Sequence, residues 1–254
     1  MIKKLIMAAI ILAFWAVYYF QNHYSSDTTK PVEKSKTENV DINVKKVSFF
    51  EQLRPGFEKE NQRVENERSQ LLELQSALAE NNISSSLLKK ASTLAQMYDV
   101  SLPKEGVTKD WLNEMLIRVN ILPEALVLTQ AANESAWGTS RFAKDANNFF
   151  GQWCYTEGCG LVPTQRVDGA THEVAKFDSP QASINAYFMN VNRNDAYKEL
   201  RNIRQNLAEK KVDLSSTATA LELTNGLLSY SERGQDYIND LQSMIKQNQD
   251  YWKN

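Results

Sequence analysis

Cysteine, histidine and net charge are all in short supply in this sequence, and each shortage removes an option. The 254 residues contain two cysteines and two histidines. Cys154 and Cys159 share one short loop while His23 and His172 lie far from it in sequence, a poor ligand set for zinc, so no metal and no cofactor is expected. The formal net charge is only -2, which argues against a nucleic-acid partner and against a polybasic mode of membrane attachment. Internal repeats are absent, and low complexity is confined to one polar stretch. What remains is ordinary globular composition, 42% hydrophobic and 24% charged, enough for one well-buried domain with additions.

Long apolar runs are missing except at the start. "LIMAAIILAFWAVYYF", residues 5–20, carries no charge and follows Lys3 and Lys4. Its aromatic end lacks the small residues of a cleavage site, and Trp15, Tyr18 and Tyr19 suit a membrane interface. Residues 1–21 are therefore expected to be a signal anchor in a membrane, with the lysines inside and the rest of the chain outside the cytoplasm; secretion after cleavage is the alternative. Residues 22–48 are polar and read as a tether. Residues 49–82 are a charged amphipathic helix in which Phe57, Val64, Leu71 and Leu78 recur every seven positions. The companion heptad position carries Glu60 and Glu67, so a single helix resting on the following domain is preferred to self-association through residues 50–82.

Residues 83–254 then read as one α+β domain, predominantly α-helical. Ser84–Ser86 cap a helix with Leu87, Ala91, Leu94 and Tyr98 on one face, and Thr108 caps "KDWLNEMLIRV". Pro123 opens a helix that Gly138 would end, and Thr139 or Ser140 starts a short one. "LVPTQRV" and "ATHEVAKF" around Asp168-Gly169 form a small β-hairpin. Ser179-Pro180 begins a helix burying Ile184, Tyr187, Phe188 and Val191, with further helices at 195–209, 217–228 and 235–247. In an exported protein the two cysteines of "CYTEGCG" suit a local disulfide, Cys154 to Cys159; a reduced structural pair is the other reading.

One acid stands out. Val127, Gln130, Ala131 and Glu134 share a helix face that is mainly apolar, and Glu134 lies in the last turn. The negative helix end and desolvation by nearby Trp137 both disfavour its ionised form, which suits a general acid. On position alone, a solvated helix-end residue is the plainer reading. Among the aromatics that follow, Trp153 is the candidate to offer a flat face to a ligand.

"AANESAWGTSRFA" followed by "NNFFGQW" resembles the bacterial N-acetylglucosaminidase family of cell-wall hydrolases. The longer pattern "ILPEALVLTQAANESAWGTSRFAKDANNFFGQWCYTEGCGLVP" is similar to its Bax-type branch. The resemblance covers about residues 120–250 and implies a lysozyme-like fold, with Glu134 as the general acid. It also implies that Asn148, Phe150 and Gly151 line a sugar cleft and that Tyr197 reaches the cleft in support. Members of the family often carry a glutamate on the first hairpin strand, where this sequence has Thr164 and Gln165. Glu157, Asp168 and Glu173 are the replacements, and Glu173 is the candidate second carboxylate; substrate assistance by the N-acetyl group needs none. The implied substrate is peptidoglycan, cut at the β-1,4 bond after N-acetylglucosamine. A lytic transglycosylase using the same glutamate and a non-catalytic peptidoglycan-binding scaffold are the alternatives.

Overall fold

The computed structural model describes residues 36–164, 166, 169 and 171–252, with backbone only for 36–41. The expected anchor and the tether up to residue 35 lie outside them, as do Gln165 and Asp168. The chain divides into two units, Met1–Lys45 and Lys46–Asn254. Among the described residues, no helix is long and apolar enough to cross a membrane.

The first helix, α1 (Lys36–Ala79), begins well inside the expected tether. No proline or glycine interrupts residues 36–54, and without a breaker a polar sequence extends a helix that packing stabilises further along. Pro55 lies within it. Beside Pro55, Gly56 lies against the helix carrying Ile184: a Cβ there would stand 2.6 Å from Ile184 Cδ1 and would push that side-chain tip aside.

The seven-residue seam of α1 faces the chain's own core. Phe57, Val64 and Leu71 are buried, with Phe49, Phe50, Leu53 and Leu74 beside them. Glu60 and Glu67, which break the apolar pattern, are buried too, and each has partners. Glu60 accepts hydrogen bonds from Arg63, Gln181 and Asn185. Glu67 accepts from Arg63 and from the Tyr98 hydroxyl. Buried carboxylates require such pairing, so the glutamates mark a polar docking seam within the chain. Asn61 exchanges two hydrogen bonds with the Leu122 backbone, and Arg68 donates to the carbonyls of Leu116 and Val119.

Next come α2 (Ser85–Tyr98), capped by the Ser84 hydroxyl, and α3 (Lys109–Arg118), capped by Thr108. Then α4 (Glu124–Ser135) is buried without a break from Glu124 to Ala132, as befits a helix enclosed on all sides. It follows Pro123, which serves as its N-cap. A short α5 (Arg141–Ala146) leads to the sheet. After the sheet come α6 (Pro180–Arg193), α7 (Lys198–Glu209), α8 (Thr217–Thr224) and α9 (Gln235–Gln247). Helices α8 and α9 pack on α4 and on each other. From α7, buried Arg204 donates to the carbonyls of Ile117 and Arg118 at the end of α3 and to those of Asn120 and Ile121, where a cation complements the negative end of the helix.

The sheet departs from the expected hairpin. Strands β1 (Trp153–Cys154), β2 (Gly160–Leu161) and β3 (Glu173–Ala175) are antiparallel in the order β1-β3-β2. The outgoing strand stops at Leu161 because Pro163 cannot donate to a ladder. The unexpected strand, β1, pairs Trp153 with Val174 and Cys154 with Glu173. The Cys154–Cys159 disulfide closes the loop between β1 and β2.

Candidate active site

A cleft of about 1220 Å³ is lined by Glu134, by Phe150 to Trp153, by Asn185, Met189 and Asn190 on α6, by Tyr197, and by the segment Ser229 to Arg233. Glu134 reaches it from the last turn of α4. The helix then ends abruptly: Ala136 and Trp137 both adopt left-handed backbone, φ 50 and 58, ahead of Gly138 at φ 73. Thus Ser135, and not the residue before Gly138, closes the helix. Two non-glycine residues in this region cost roughly 1–2 kcal/mol each and persist only where surroundings over-determine them. Here Trp137 N–H bonds Ala132 O at 2.8 Å and Gly138 N–H bonds the Ser135 hydroxyl at 2.8 Å. The Trp137 ring is gripped by α1, with Phe49 and Phe50 edge-on at 5.7 and 5.4 Å and the Lys46 ammonium above it. Trp137 therefore secures the loop after the acid from the α1 side.

Burial raises the Glu134 carboxyl pKa above its ordinary value, opposed by hydrogen bonds from Tyr237 and Asn133 and by the charge of Arg233. Tyr237, from α9, donates to Oε1 at 2.8 Å, and Asn133 Nδ2 donates to the same oxygen at 3.2 Å. The other oxygen, Oε2, faces Gly151. A Cβ on Gly151 would lie 3.5 Å from it, and the residue has φ +63, so glycine serves both the turn and the open space before the acid.

The wall beside Glu134 is aromatic. Phe150 stacks on Tyr187 at 4.3 Å, Tyr230 stacks on Tyr237 at 5.6 Å, and Tyr197 meets Tyr230 at 5.9 Å. The Tyr230 hydroxyl donates to the Phe150 carbonyl. Burial raises the Tyr197 phenol pKa, against a hydrogen bond with Asn190, so the cleft meets a neutral hydroxyl group. At the rim, Trp153 is 54% exposed and lies parallel to His172 with ring centroids 4.1 Å apart. Tyr155 is exposed beside it.

Asn148 stands elsewhere. It is buried, its Nδ2 donates to the carbonyls of Gln152 and Ala175, and its Oδ1 accepts from the amides of Phe150 and Gln152. All four sites of the amide are thereby used, so Asn148 shapes the 148–152 turn that presents Phe150 and Gly151 and does not itself line the cleft. Glu173 is likewise engaged. Its two oxygens accept from the backbone amides of Gly158, in the disulfide loop, and Gly160, at the start of β2, at 3.1 and 2.8 Å, away from the cleft lining. These backbone bonds hold its pKa below the ordinary value. A carboxylate with a depressed folded-state pKa contributes stability above its unfolded pKa and loses it as pH falls through the folded value. Glu173→Gln is therefore expected to melt below wild type at neutral pH, with the difference closing in acid; equal melting temperatures at neutral pH would contradict the loop-holding role. Cys154, Cys159 and Glu173 bring ligand-type atoms within 4.8 Å, but both sulfurs are bonded to each other, leaving no thiolate to bind a metal.

The other carboxylates on the cleft are Asp99, Asp195 and Glu232 among the described residues. Asp195 pairs with Arg118 at 3.2 Å and lies 3.8 Å from Arg201. Glu157 is exposed in the disulfide loop. Reading the sequence did not place Asn185, Met189, Asn190 or Glu232 at the site. Their signal is tertiary: three of them form the outward stripe of α6, the fourth a loop between helices.

The glucosaminidase family model, described as mannosyl-glycoprotein endo-beta-N-acetylglucosaminidase, matches residues 109–250. Protein bax of Escherichia coli (strain K12) is 32% identical over 205 residues, spanning 81% of this chain and 70% of that protein. No solved structure matches the chain. With the family's segment folded around one half-buried glutamate in an aromatic cleft, and with a relative aligned over most of both chains, the protein belongs to the glucosaminidase family, in its Bax-type branch.

Proposed function

We propose that the protein is a cell-envelope glycoside hydrolase that cuts peptidoglycan at the β-1,4 bond after N-acetylglucosamine, with Glu134 as general acid. The observation that carries this reading is Glu134 itself: a carboxyl with its pKa raised by burial, one oxygen held by the protein and the other facing a long cleft. A carboxylic acid that stays protonated is what departure of a glycosidic oxygen needs. Trp153 and Tyr155 at the rim offer flat faces for sugar rings, and the amides of Asn185 and Asn190 on α6, with the Ser229 and Ser231 hydroxyls, suit uncharged polar groups.

The chemistry follows from a single acid. Glu134 donates its proton to the glycosidic oxygen as the C1–O bond breaks, and the carbonyl oxygen of the substrate's acetamido group bonds to C1. The resulting carboxylate of Glu134 then takes a proton from water, which attacks C1 and reopens the ring. Tyr197, a neutral phenol on the same cleft, steadies the acetamido group. Engagement of Glu173 with the Gly158 and Gly160 amides, and of Asp195 with Arg118, favours this route over one that uses either of these two as the second carboxylate.

Digestion of purified sacculi by residues 46–254, followed by product masses, tests the reading. Fragments ending in reducing N-acetylglucosamine are expected. Anhydromuramyl ends would assign the protein as a lytic transglycosylase, and binding without release would leave it a sugar-gripping scaffold.

A further inference from the structure

The carboxyl of Glu134 is held through one oxygen. Oε1 accepts from Tyr237 and from Asn133, and a carbonyl-type oxygen has two lone pairs, so it is fully engaged. Oε2 receives no hydrogen bond from the described residues and faces the space that Gly151 leaves open. In the acid form the proton therefore belongs on Oε2.

This arrangement depends on where the Tyr237 hydroxyl proton points. A phenol can turn its O–H to any acceptor in the ring plane, and Gln130 removes that choice. Its Nε2, which can only donate, bonds the Tyr237 oxygen at 3.0 Å. Gln130 Oε1 in turn accepts from the Tyr187 hydroxyl at 2.5 Å, so both ends of the amide are engaged. Gln130 and Tyr187 are fully buried and Tyr237 is nearly so, so bulk water does not compete. Burying an amide without partners is costly, and an apolar residue at this helix face would avoid that demand. The amide is useful for its direction.

Resting on the reading of Glu134 as the acid, we propose that Tyr187, Gln130 and Tyr237 form a one-way relay that keeps the Glu134 proton on the oxygen facing the cleft. Tyr237 is a positioning residue in contact with the acid, and Gln130 sets the direction of its hydroxyl. The other groups facing Glu134 are Tyr230 and Arg233 from the segment between α8 and α9, Tyr197 ahead of α7, and Tyr187 on α6. Arg233 pairs with Asp240, and the Tyr230 hydroxyl is committed to the Phe150 carbonyl.

Tyr237→Phe keeps the ring and deletes the donor. Removing a hydrogen bond from the charged form raises a carboxyl pKa, so the Glu134 titration, followed by NMR of the labelled side-chain carbonyl and assigned with Glu134→Gln, is expected to move to higher pH. On sacculi, kcat should fall about tenfold with KM unchanged, and the alkaline limb of the pH profile should shift upward. Gln130→Met, close in length and volume, should move the titration in the same direction by less. A Glu134 titration unchanged in folded Tyr237→Phe, or a loss of kcat with an unmoved alkaline limb, would overturn the relay. The NMR titration decides this even if wild type releases nothing from sacculi, an outcome that would refute the proposed activity alone.

Discussion

Glu134→Gln is expected to lower turnover of sacculi by about a hundred- to ten-thousandfold, the usual contribution of a positioned general acid, while binding to sacculi is retained. Glutamine preserves the Oε1 acceptor used by Tyr237 and Asn133 but carries no transferable proton. Stability should move the other way. A carboxyl whose folded pKa is raised by burial binds its proton more tightly in the native state, so wild type loses stability as pH rises from the unfolded pKa through the folded one. Glutamine removes that loss, and the variant is expected to melt at or above wild type at neutral pH. Lost activity in a protein at least as stable as wild type separates chemistry from folding. Full activity of Glu134→Gln would sink the assignment of the acid, and a lower melting temperature would sink the account of its burial.

The second large effect concerns α1. A protein starting at residue 83 retains the family-matched segment, 109–250, yet it is expected not to fold cooperatively. It loses Phe49, Phe50, Leu53, Phe57, Val64, Leu71 and Leu74, all buried. At about 1.5–3 kcal/mol for each large apolar side chain, their loss matches or exceeds the roughly 5–15 kcal/mol that holds a domain together. It would also strip Trp137 of Phe49, Phe50 and Lys46, the contacts that hold the left-handed loop after Glu134. Residues 46–254 should instead show near-UV circular dichroism and a cooperative melt. If residues 83–254 melt as sharply and at the same temperature, α1 is an accessory and not part of the domain.

The site was readable in proportion to how local its signals are. Glu134 could be singled out because it shares a mainly apolar helix face with Val127 and Ala131, and Gly151 and Trp153 follow in the same motif. The cause of the raised pKa was partly legible: desolvation was expected and burial is its leading cause, while the Trp137 ring packs against Phe49 and Phe50 of α1. Asn148 was expected on the cleft because the family resemblance placed it there with Phe150 and Gly151. Its amide instead satisfies four backbone groups, an outcome set by where β3 passes. Tyr237 could not be placed beside the acid, since nothing in "YSERGQDYINDL" reveals that α9 crosses α4 within reach of Glu134 and Gln130.

By itself, the sequence determined the helices and their caps, since these rest on residues a few positions apart: Ser84, Thr108, Ser140 and Ser179 each bind an amide three residues on. It also placed the acid on its helix. Tertiary structure decided what long-range contacts control. It turned a heptad seam that might have met a second chain inward, where Glu60 and Glu67 find Gln181, Asn185 and Tyr98. It drew Glu173 into the disulfide loop. It also joined Tyr187, Gln130 and Tyr237 from three helices into one hydrogen-bonded path to Glu134. Periodicity records which face of a helix is buried, but the partner of a buried polar group is chosen by packing between elements distant in the chain.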